Sequence, residues 1–586
     1  MGPGGSAPVH VYHDGTKHHF NRFARSLGYL DWASQPNPFR SYAAAPAVAL
    51  YPRPDAFRNP QSALLNPQST LLNPQSVLVG DVLRHALGLS AWKQFGTSRP
   101  STGSGRRELV ERRWALRVNP SSGNLHPTEA YVIAGAAPGI GETPGVYHYA
   151  PDRHALERRC AFDAAAWPVA EADPDRWLIA LTSIHWREAW KYGERAFRYC
   201  QHDMGHAIAA IGIAAAMAGC RATLLPDWSH ADIASLTGID RDEDFFEAER
   251  EEPGCLLLIH NLHSSIRNLH SSIRNPHPSI RNPHSSIRNA EPVVSRDRLL
   301  AAVRAGEWSG RASQLSEDHT TWTFIDEIAA ATRDSGRPVP PVPPIGAIRL
   351  PDHPLTRLPD RPLVLRRRSA VSFDGRSSID AAAFFAMLSR VMPQPGPPWD
   401  ALWWDARIHL AIFVHRVDDV APGLYLLARD PWAVDRLRAA CGRQCLWERA
   451  SDAPPLYLLA RGDCRAMARR LSCDQDIAAD GFFSLGMIAE FDASLQTFGP
   501  SFYRHLFWES GVVGQALYLA AEAAGARATG IGCFYDDPVH ASLGIADHSF
   551  QSLYHFTVGV PVEDTRLTTE PGYVWEVGTE KSELEV

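Results

Sequence analysis

Two stretches 306 positions apart repeat one pattern without a gap. The first runs Arg198-Tyr199, Asp203, Gly205, then an Ala-rich apolar run to Ala218-Gly219-Cys220-Arg221-Ala222-Thr223. The second runs Arg504-His505, Glu509, Gly511, then a similar run to Ala524-Gly525-Ala526-Arg527-Ala528-Thr529. Upstream, Pro144-Gly145-Val146-Tyr147 answers Pro422-Gly423-Leu424-Tyr425, and each follows an apolar strand, Ala130–Ala134 or Leu410–Val414. Chance similarity between Ala-rich helices is the competing explanation. It does not account for Arg, acid and Gly positions held in one register. Each half therefore reads as strands flanking a long helix that is apolar on all sides, and such a helix must be buried on all sides.

The chain has 586 residues, too many for one hydrophobic core. Net charge is −7, so no basic excess points to nucleic acid. The longest apolar run, Ala207–Ala218, is too short to span a bilayer, and no membrane partner is expected. The first twenty residues hold no long apolar run, so no signal peptide is expected. Nine cysteines show no metal spacing, Cys441 and Cys445 being nearest, and a reducing cytoplasmic setting fits them. Residues 59–79 repeat Asn-Pro-Gln-Ser-x-Leu-(Leu/Val) three times, and 261–289 repeat a heptad four times. The heptad has too few apolar positions for a coiled-coil seam, so both tracts read as low-complexity loops. His263, His270, His277 and His284 recur in the second tract, but no metal site is assigned.

Residues 117–129 read Arg-Val-Asn-Pro-Ser-Ser-Gly-Asn-Leu-His-Pro-Thr-Glu, directly before the Ala130–Ala134 strand. Small residues between two prolines leave backbone N–H groups free to approach a flat or anionic ligand, although an ordinary turn would also use them. The stretch Pro120, Ser121, Ser122, Gly123, Asn124 resembles the flavin-contacting loop of the nitroreductase superfamily, and most of all its SagB/ThcOx branch, the dehydrogenases of thiazole- and oxazole-containing peptides. Tyr12–His18 and Leu30–Pro36 resemble the start of standalone SagB-type proteins. The resemblance implies an α+β fold in which two nitroreductase-like, FMN-dependent α/β sandwich domains are fused into an intramolecular pseudo-dimer, monomeric as a chain. The first domain would be 1–260, with 59–79 inserted. A heptad linker would follow at 261–295, a helical and Pro-rich connector at 296–361, and the second domain at 362–586.

Arg366-Arg367-Arg368-Ser369-Ala370-Val371 opens the second half and resembles the family's Arg-Arg-Ser-x-Arg signature, with Val371 where a second basic residue is usual. A guanidinium fork suits phosphate, although a solvated basic run is the plainer reading of the residues. The resemblance gives FMN to Arg367, Arg368 and Ser369, to the small-residue strand Gly530, Ile531 and Gly532, and to Arg566 as a late phosphate ligand. Each half lacks what the other has. Asp405–His409 replaces the Pro-Ser loop in the second half, and Leu224-Leu225-Pro226 stands where Gly530-Ile531-Gly532 would be in the first. One composite flavin site is therefore expected, and one empty cleft.

Lys191-Tyr192 resembles the Lys-Tyr pair that handles the proton in azoline dehydrogenases. Thr497-Phe498 replaces it in the second half. A base of lowered pKa would suit that task; snorkelling and packing are the structural alternative. No dinucleotide fingerprint appears, so NAD(P)H as a co-substrate would have to enter the open flavin cleft. The expected activity is two-electron dehydrogenation of a ring or peptide azoline. NAD(P)H-dependent nitro or quinone reduction is the alternative, and a catalytically inactive flavin- or partner-binding protein is a third reading.

Overall fold

Two 22-residue helices, Ala196–Met217 and Phe502–Ala523, lie at equivalent places in the repeat, and all but their last residues are buried. Alanine and leucine favour the helix, and each run stops at a glycine in left-handed conformation, Gly219 and Gly525. The helices cross where Gly205 meets Gly511. A β-carbon on Gly205 would overlap the Trp508 carbonyl, and one on Gly511 would overlap that of His202. Glycine is required at this crossing because backbone touches backbone.

A computed structural model describes residues 6–50, 74–95, 113–167, 176–261, 295–338 and 353–576. Two antiparallel sheets flank the crossed helices. The first runs Ala155–Ala161, Gly145–Ala150, Thr128–Ala134, Trp177–Ser183, Glu252–Asn261, Cys220–Leu224. The second repeats that order as Leu456–Arg461, Gly423–Leu427, Ile408–Val414, Phe483–Glu490, Phe550–Gly559, Arg527–Ile531. Alternate residues of the middle strands serve two cores. Val132 and Ala134 pack inward with Leu410, Ile412 and Val414 in one core shared by both halves. Tyr131 and Ile133 pack outward in the first half, and Ala411 and Phe413 do so in the second. Covered on both faces, the stretches Ala130–Ala134 and Leu410–Val414 are apolar without alternation.

The chain ends are exchanged between halves. Leu567–Pro571 pairs with Leu89–Phe95, which pairs with Arg113–Arg117, so the second half adds a strand to the first. Helix Ala7–Gly15 reaches the other way, and His13 Nε2 bonds Gln551 Oε1 at 3.0 Å.

Two segments depart from the sequence reading. Residues 296–361 were expected as a connector. Helix Arg296–Arg304 instead places Leu299, Leu300 and Val303 in the outer core of the first half, and Glu307–Trp308 extends its sheet. The third copy of the Asn-Pro repeat is not loop: Pro74 opens helix Pro74–Ala86, and Val79 is fully buried. The polar units hid an apolar stripe that starts only at Val79. The remainder of both repeat tracts, 59–73 and 262–289, lies outside the described residues. Among the described residues no helix is long and apolar enough to cross a membrane.

Candidate functional site

The Pro120–Asn124 loop rests on the first long helix. Ser122 donates its N–H (3.0 Å) and its hydroxyl (3.1 Å) to Asp203 Oδ1. His126 N–H donates to Ser121 Oγ at 2.7 Å, and Asn124 Nδ2 donates to the Ala115 carbonyl at 2.9 Å. The N–H groups of Ser122 and Asn124, expected to face a ligand, are thus engaged inside the protein. The buried Asp203 side chain takes the first, and the Ser121 carbonyl takes the second at 3.1 Å. What the loop presents is exposed Gly123, held at φ 59°. A β-carbon there would lie 2.7 Å from the Tyr192 hydroxyl and 3.2 Å from Lys191 Nζ. The loop and the Lys-Tyr pair are therefore in one place.

The protonation of this end differs from the sequence expectation. Burial pushes the Tyr192 phenol well above its ordinary pKa, and the nearby Glu188 carboxylate adds to the rise. Tyr192 stays protonated and is not a base of lowered pKa. Burial also raises Asp203, to about 7, despite hydrogen bonds from Ser121 and Ser122. Burial and the Asp203 charge push Glu188 up as well. Two carboxyl groups whose pKa burial raises therefore back the loop, and the sequence singled out neither as functional. Asp203 appeared only as a position of the repeat.

The other end is built by the second half. Arg367 is buried, donating through Nε to the Val118 carbonyl (3.0 Å) and through Nη2 to the Arg117 carbonyl (3.2 Å). It thus grips the residues just before the Pro-Ser loop of the first half. Its Nη1 is buried with no hydrogen-bond partner among the described residues. Arg368 donates to Ser90 Oγ (3.1 Å) and to the Leu365 carbonyl (2.8 Å). Burial, together with the charges of Arg367 and Arg527, lowers its pKa to about 10. Cations crowded this way favour an anion. Ser369 Oγ lies 3.0 Å from the Tyr518 hydroxyl, which accepts from Gly530 N–H, also at 3.0 Å. Gly530 abuts the Tyr554 hydroxyl and Gly532 the Tyr199 ring, so neither position has room for a side chain. Ile531 turns into a small apolar cluster with Ala370 and Phe373. Arg566 is not brought to the site. It is exposed and pairs with Asp564 two residues away, at 2.7 Å, because the chain there leaves for the exchanged strand.

A row of rings joins the two ends. Tyr192 meets Tyr199 (centroids 4.5 Å apart), Tyr199 meets His202 (6.3 Å), and His202 stacks on Tyr554 (4.0 Å). Tyr554 meets His206 (6.0 Å), His206 meets Tyr518 (5.8 Å), and Arg367 lies over Tyr518 at 5.0 Å. The row, its rings at angles from stacked to edge-on, forms a floor between cations at one end and proton-bearing groups at the other. These rings come from three helices and a strand, drawn from both halves, a juxtaposition no local pattern could announce.

The equivalent place on the other side is filled. Phe498, the counterpart of Tyr192, packs on Trp403 (5.8 Å) and stacks on Phe502 (4.3 Å). Trp403 and Trp404 are buried against His505, and Arg337 covers Trp403 at 5.6 Å. Glu509, the counterpart of Asp203, accepts N–H bonds from Arg407 and Ile408 and pairs with buried Arg429. The scaffold is the same, but side chains occupy the space.

This is the nitroreductase-like fold. A protein of Anabaena variabilis provisionally assigned as a nitroreductase superposes with a TM-score of 0.65 over 95% of this chain and 99% of its own, at 21% identity. A provisionally assigned nitroreductase of Methanocaldococcus jannaschii is 32% identical over 98 residues, which cover 16% of this chain. The chain spans 48% of that relative's length. The Escherichia coli microcin synthetase McbBCD complex matches 34% of this chain at 15% identity with a TM-score of 0.26, too low to carry an argument. No protein-family model matches the chain.

Proposed function

We propose that the chain is an FMN-dependent oxidoreductase of the nitroreductase superfamily, with one flavin bound across the ring floor. The observation that carries this is Arg367 of the second half, clasping the first-half carbonyls beside the Pro-Ser loop while one of its own buried N–H₂ groups has no partner among the described residues. Arg367, Arg368 and Ser369 would hold the phosphate, Gly123 and the Gly530–Gly532 strand would border the ring, and Tyr518 and Tyr554 would underlie it. When bound, FMN supplies two-electron redox chemistry; the protein supplies binding and proton handling.

The favoured reaction is dehydrogenation of a ring or peptide azoline. Lys191 Nζ and Tyr192 Oη would position the reacting carbon, and Asp203, near neutrality behind the loop, would take up the proton. One observation favours the reverse direction. A phenol held protonated, as Tyr192 is, suits donation of a proton to an acceptor being reduced, as in nitro or quinone reduction with NAD(P)H.

Flavin content of the purified protein tests the binding. About one FMN per chain is expected, because side chains fill the second cleft, and Arg367→Ala and Ser122→Trp should each lower retention. Two FMN per chain, or a loss caused by only one substitution, would overturn the shared site. Anaerobic bleaching of the bound flavin by NAD(P)H, compared with bleaching by azoline peptides, distinguishes the two directions.

A further inference from the structure

Three segments far apart in sequence meet beside the ring floor. His18 follows the N-terminal helix, Cys473 lies just after helix Arg465–Leu471, and Cys533 directly follows Gly532. The sulfur atoms of Cys533 and Cys473 are 2.8 Å apart, and His18 Nδ1 is 3.6 Å from Cys533 Sγ. The meeting is braced from several sides. Tyr535 N–H donates to the Leu471 carbonyl (2.9 Å), and Gln475 Nε2 donates to the Cys533 carbonyl (3.1 Å). His18 N–H donates to Asp536 Oδ2 (2.8 Å), and Asp536 N–H donates to the His18 carbonyl (3.1 Å). Both cysteines are half-buried, so a small reagent can reach them.

The environment of Cys533 favours a thiolate. The fully buried Arg195 guanidinium donates to the Gly532 carbonyl at 3.3 Å and lies over the Phe534 ring. A hydrogen bond from Cys473, then His18, with Arg195 beyond, holds the Cys533 thiol down at about 5, while the Cys473 thiol is pushed up. One proton is in effect held between two sulfurs, which is the arrangement of an attacking and a resolving cysteine.

A metal fits less well. Two thiolates on one tetrahedral zinc stand roughly 3.8 Å apart, from a Zn–S bond of about 2.3 Å, well beyond the contact here. The nearby carboxylate, Asp536, is already paired with Arg195 (2.9 Å) and Arg198 (2.8 Å), and a buried guanidinium faces the trio. The second close pair, Cys441 and Cys445, has no such cation. Only Cys441 lowers Cys445.

We propose that Cys473 and Cys533 are a redox-active dithiol that reacts with small disulfides, a redox site separate from the ring floor and independent of whether flavin binds there. The Cys533 thiolate attacks one sulfur of R–S–S–R, forming Cys533–S–S–R and releasing RS⁻. Cys473 then attacks Cys533 Sγ, forming the Cys473–Cys533 bond and expelling the second RS⁻, while its proton passes to a departing thiolate. The two cysteines lose two electrons and R–S–S–R gains them. Counted from the neutral dithiol, two RSH result.

The full-length protein, equilibrated anaerobically in glutathione buffers of increasing oxidised fraction, acid-quenched and alkylated, is read by peptide mass mapping. The expected result is loss of two alkylatable thiols per chain as one unit, with the 473 and 533 peptides cross-linked. Cys473→Ser should trap glutathione on Cys533, whereas Cys533→Ser should leave Cys473 at least tenfold slower to react. Both thiols remaining alkylatable in fully oxidised glutathione would overturn the proposal. So would one equivalent of zinc co-purifying with the wild type and lost in Cys473→Ser. The wild-type titration and metal content suffice if either variant fails to fold.

Discussion

At the scale of single residues, the site is governed by burial of groups that can hold a proton. Asp203 is a direct case. Its pKa is raised to about 7, so in the folded chain it keeps a proton that the unfolded chain releases near pH 4. Below pH 4 both states are protonated and nothing is lost. Between pH 4 and 7 the unfolded state binds fewer protons, so stability falls as pH rises, by roughly 4 kcal/mol in all, and levels off above 7. Asp203→Asn should remove that slope while still accepting from Ser122 N–H. Urea unfolding at pH 4.5 and 7.5 measures it, and an unchanged slope in the variant would show that Asp203 is ionised in the fold. On the proposed function, Tyr192→Phe and Lys191→Ala should slow single-turnover flavin reduction by about a hundredfold or more without lowering FMN content. Phe498 and Thr497 occupy the equivalent places in the second half, so the fold accepts both changes. Wild-type rates in both variants would reduce the pair to packing.

At the scale of elements, the crossing of the two long helices is the most exacting contact. Alanine for glycine inside a helix ordinarily stabilises by about 0.5–1 kcal/mol. At Gly205 that sign should reverse, because a methyl group would overlap the Trp508 backbone and force the helices apart. Gly205→Ala should cost roughly 1–3 kcal/mol net. Gly212 on the same helix is the control. A β-carbon there would lie 3.8 Å from Pro398 Cα, an ordinary contact, so Gly212→Ala should be neutral or slightly stabilising. Denaturant midpoints at matched m-value compare them, and equal midpoints would mean that the helices can separate at little cost. The strands make a similar point. Their inner stretches, Ala130–Ala134 and Leu410–Val414, are apolar throughout because each faces two cores, which is why the repeat showed as apolar blocks and not as alternation.

At the scale of the whole molecule, the two halves are held by exchanged ends and by buried charge. Arg195 and Arg198 of the first long helix segment both pair with Asp536 of the second half, and all three side chains are almost fully buried. Against the cost of its burial, these two guanidiniums hold Asp536 down at about 2. Removing one member of such a group leaves uncompensated charge, so Asp536→Asn should destabilise by roughly 3–5 kcal/mol. A cooperative loss of both halves, followed by near-UV circular dichroism during thermal unfolding, is expected, because this cluster joins them. Separate transitions, with only one half affected, would contradict a single unit.

The duplication, its 306-residue offset and the buried character of both long helices were legible in the amino-acid order alone. They rest on local composition and spacing, which a repeat preserves. The Pro120–Asn124 loop, Lys191-Tyr192 and the Arg367–Ser369 run were also visible as motifs, and the structure places them around one ring floor. Tertiary structure alone decided the rest. Arg566 stands in solvent just before the exchanged strand, Val79 turns the last Asn-Pro unit into a buried helix, and residues 296–312 join the outer core of the first half. The carboxyl groups of Asp203 and Glu188, the row from Tyr199 to Tyr518, and the meeting of His18, Cys473 and Cys533 depend on contacts across hundreds of residues. Desolvation sets the protonation of these groups, and the loss of water around a side chain is fixed by what packs on it from elsewhere in the chain, not by its neighbours in sequence.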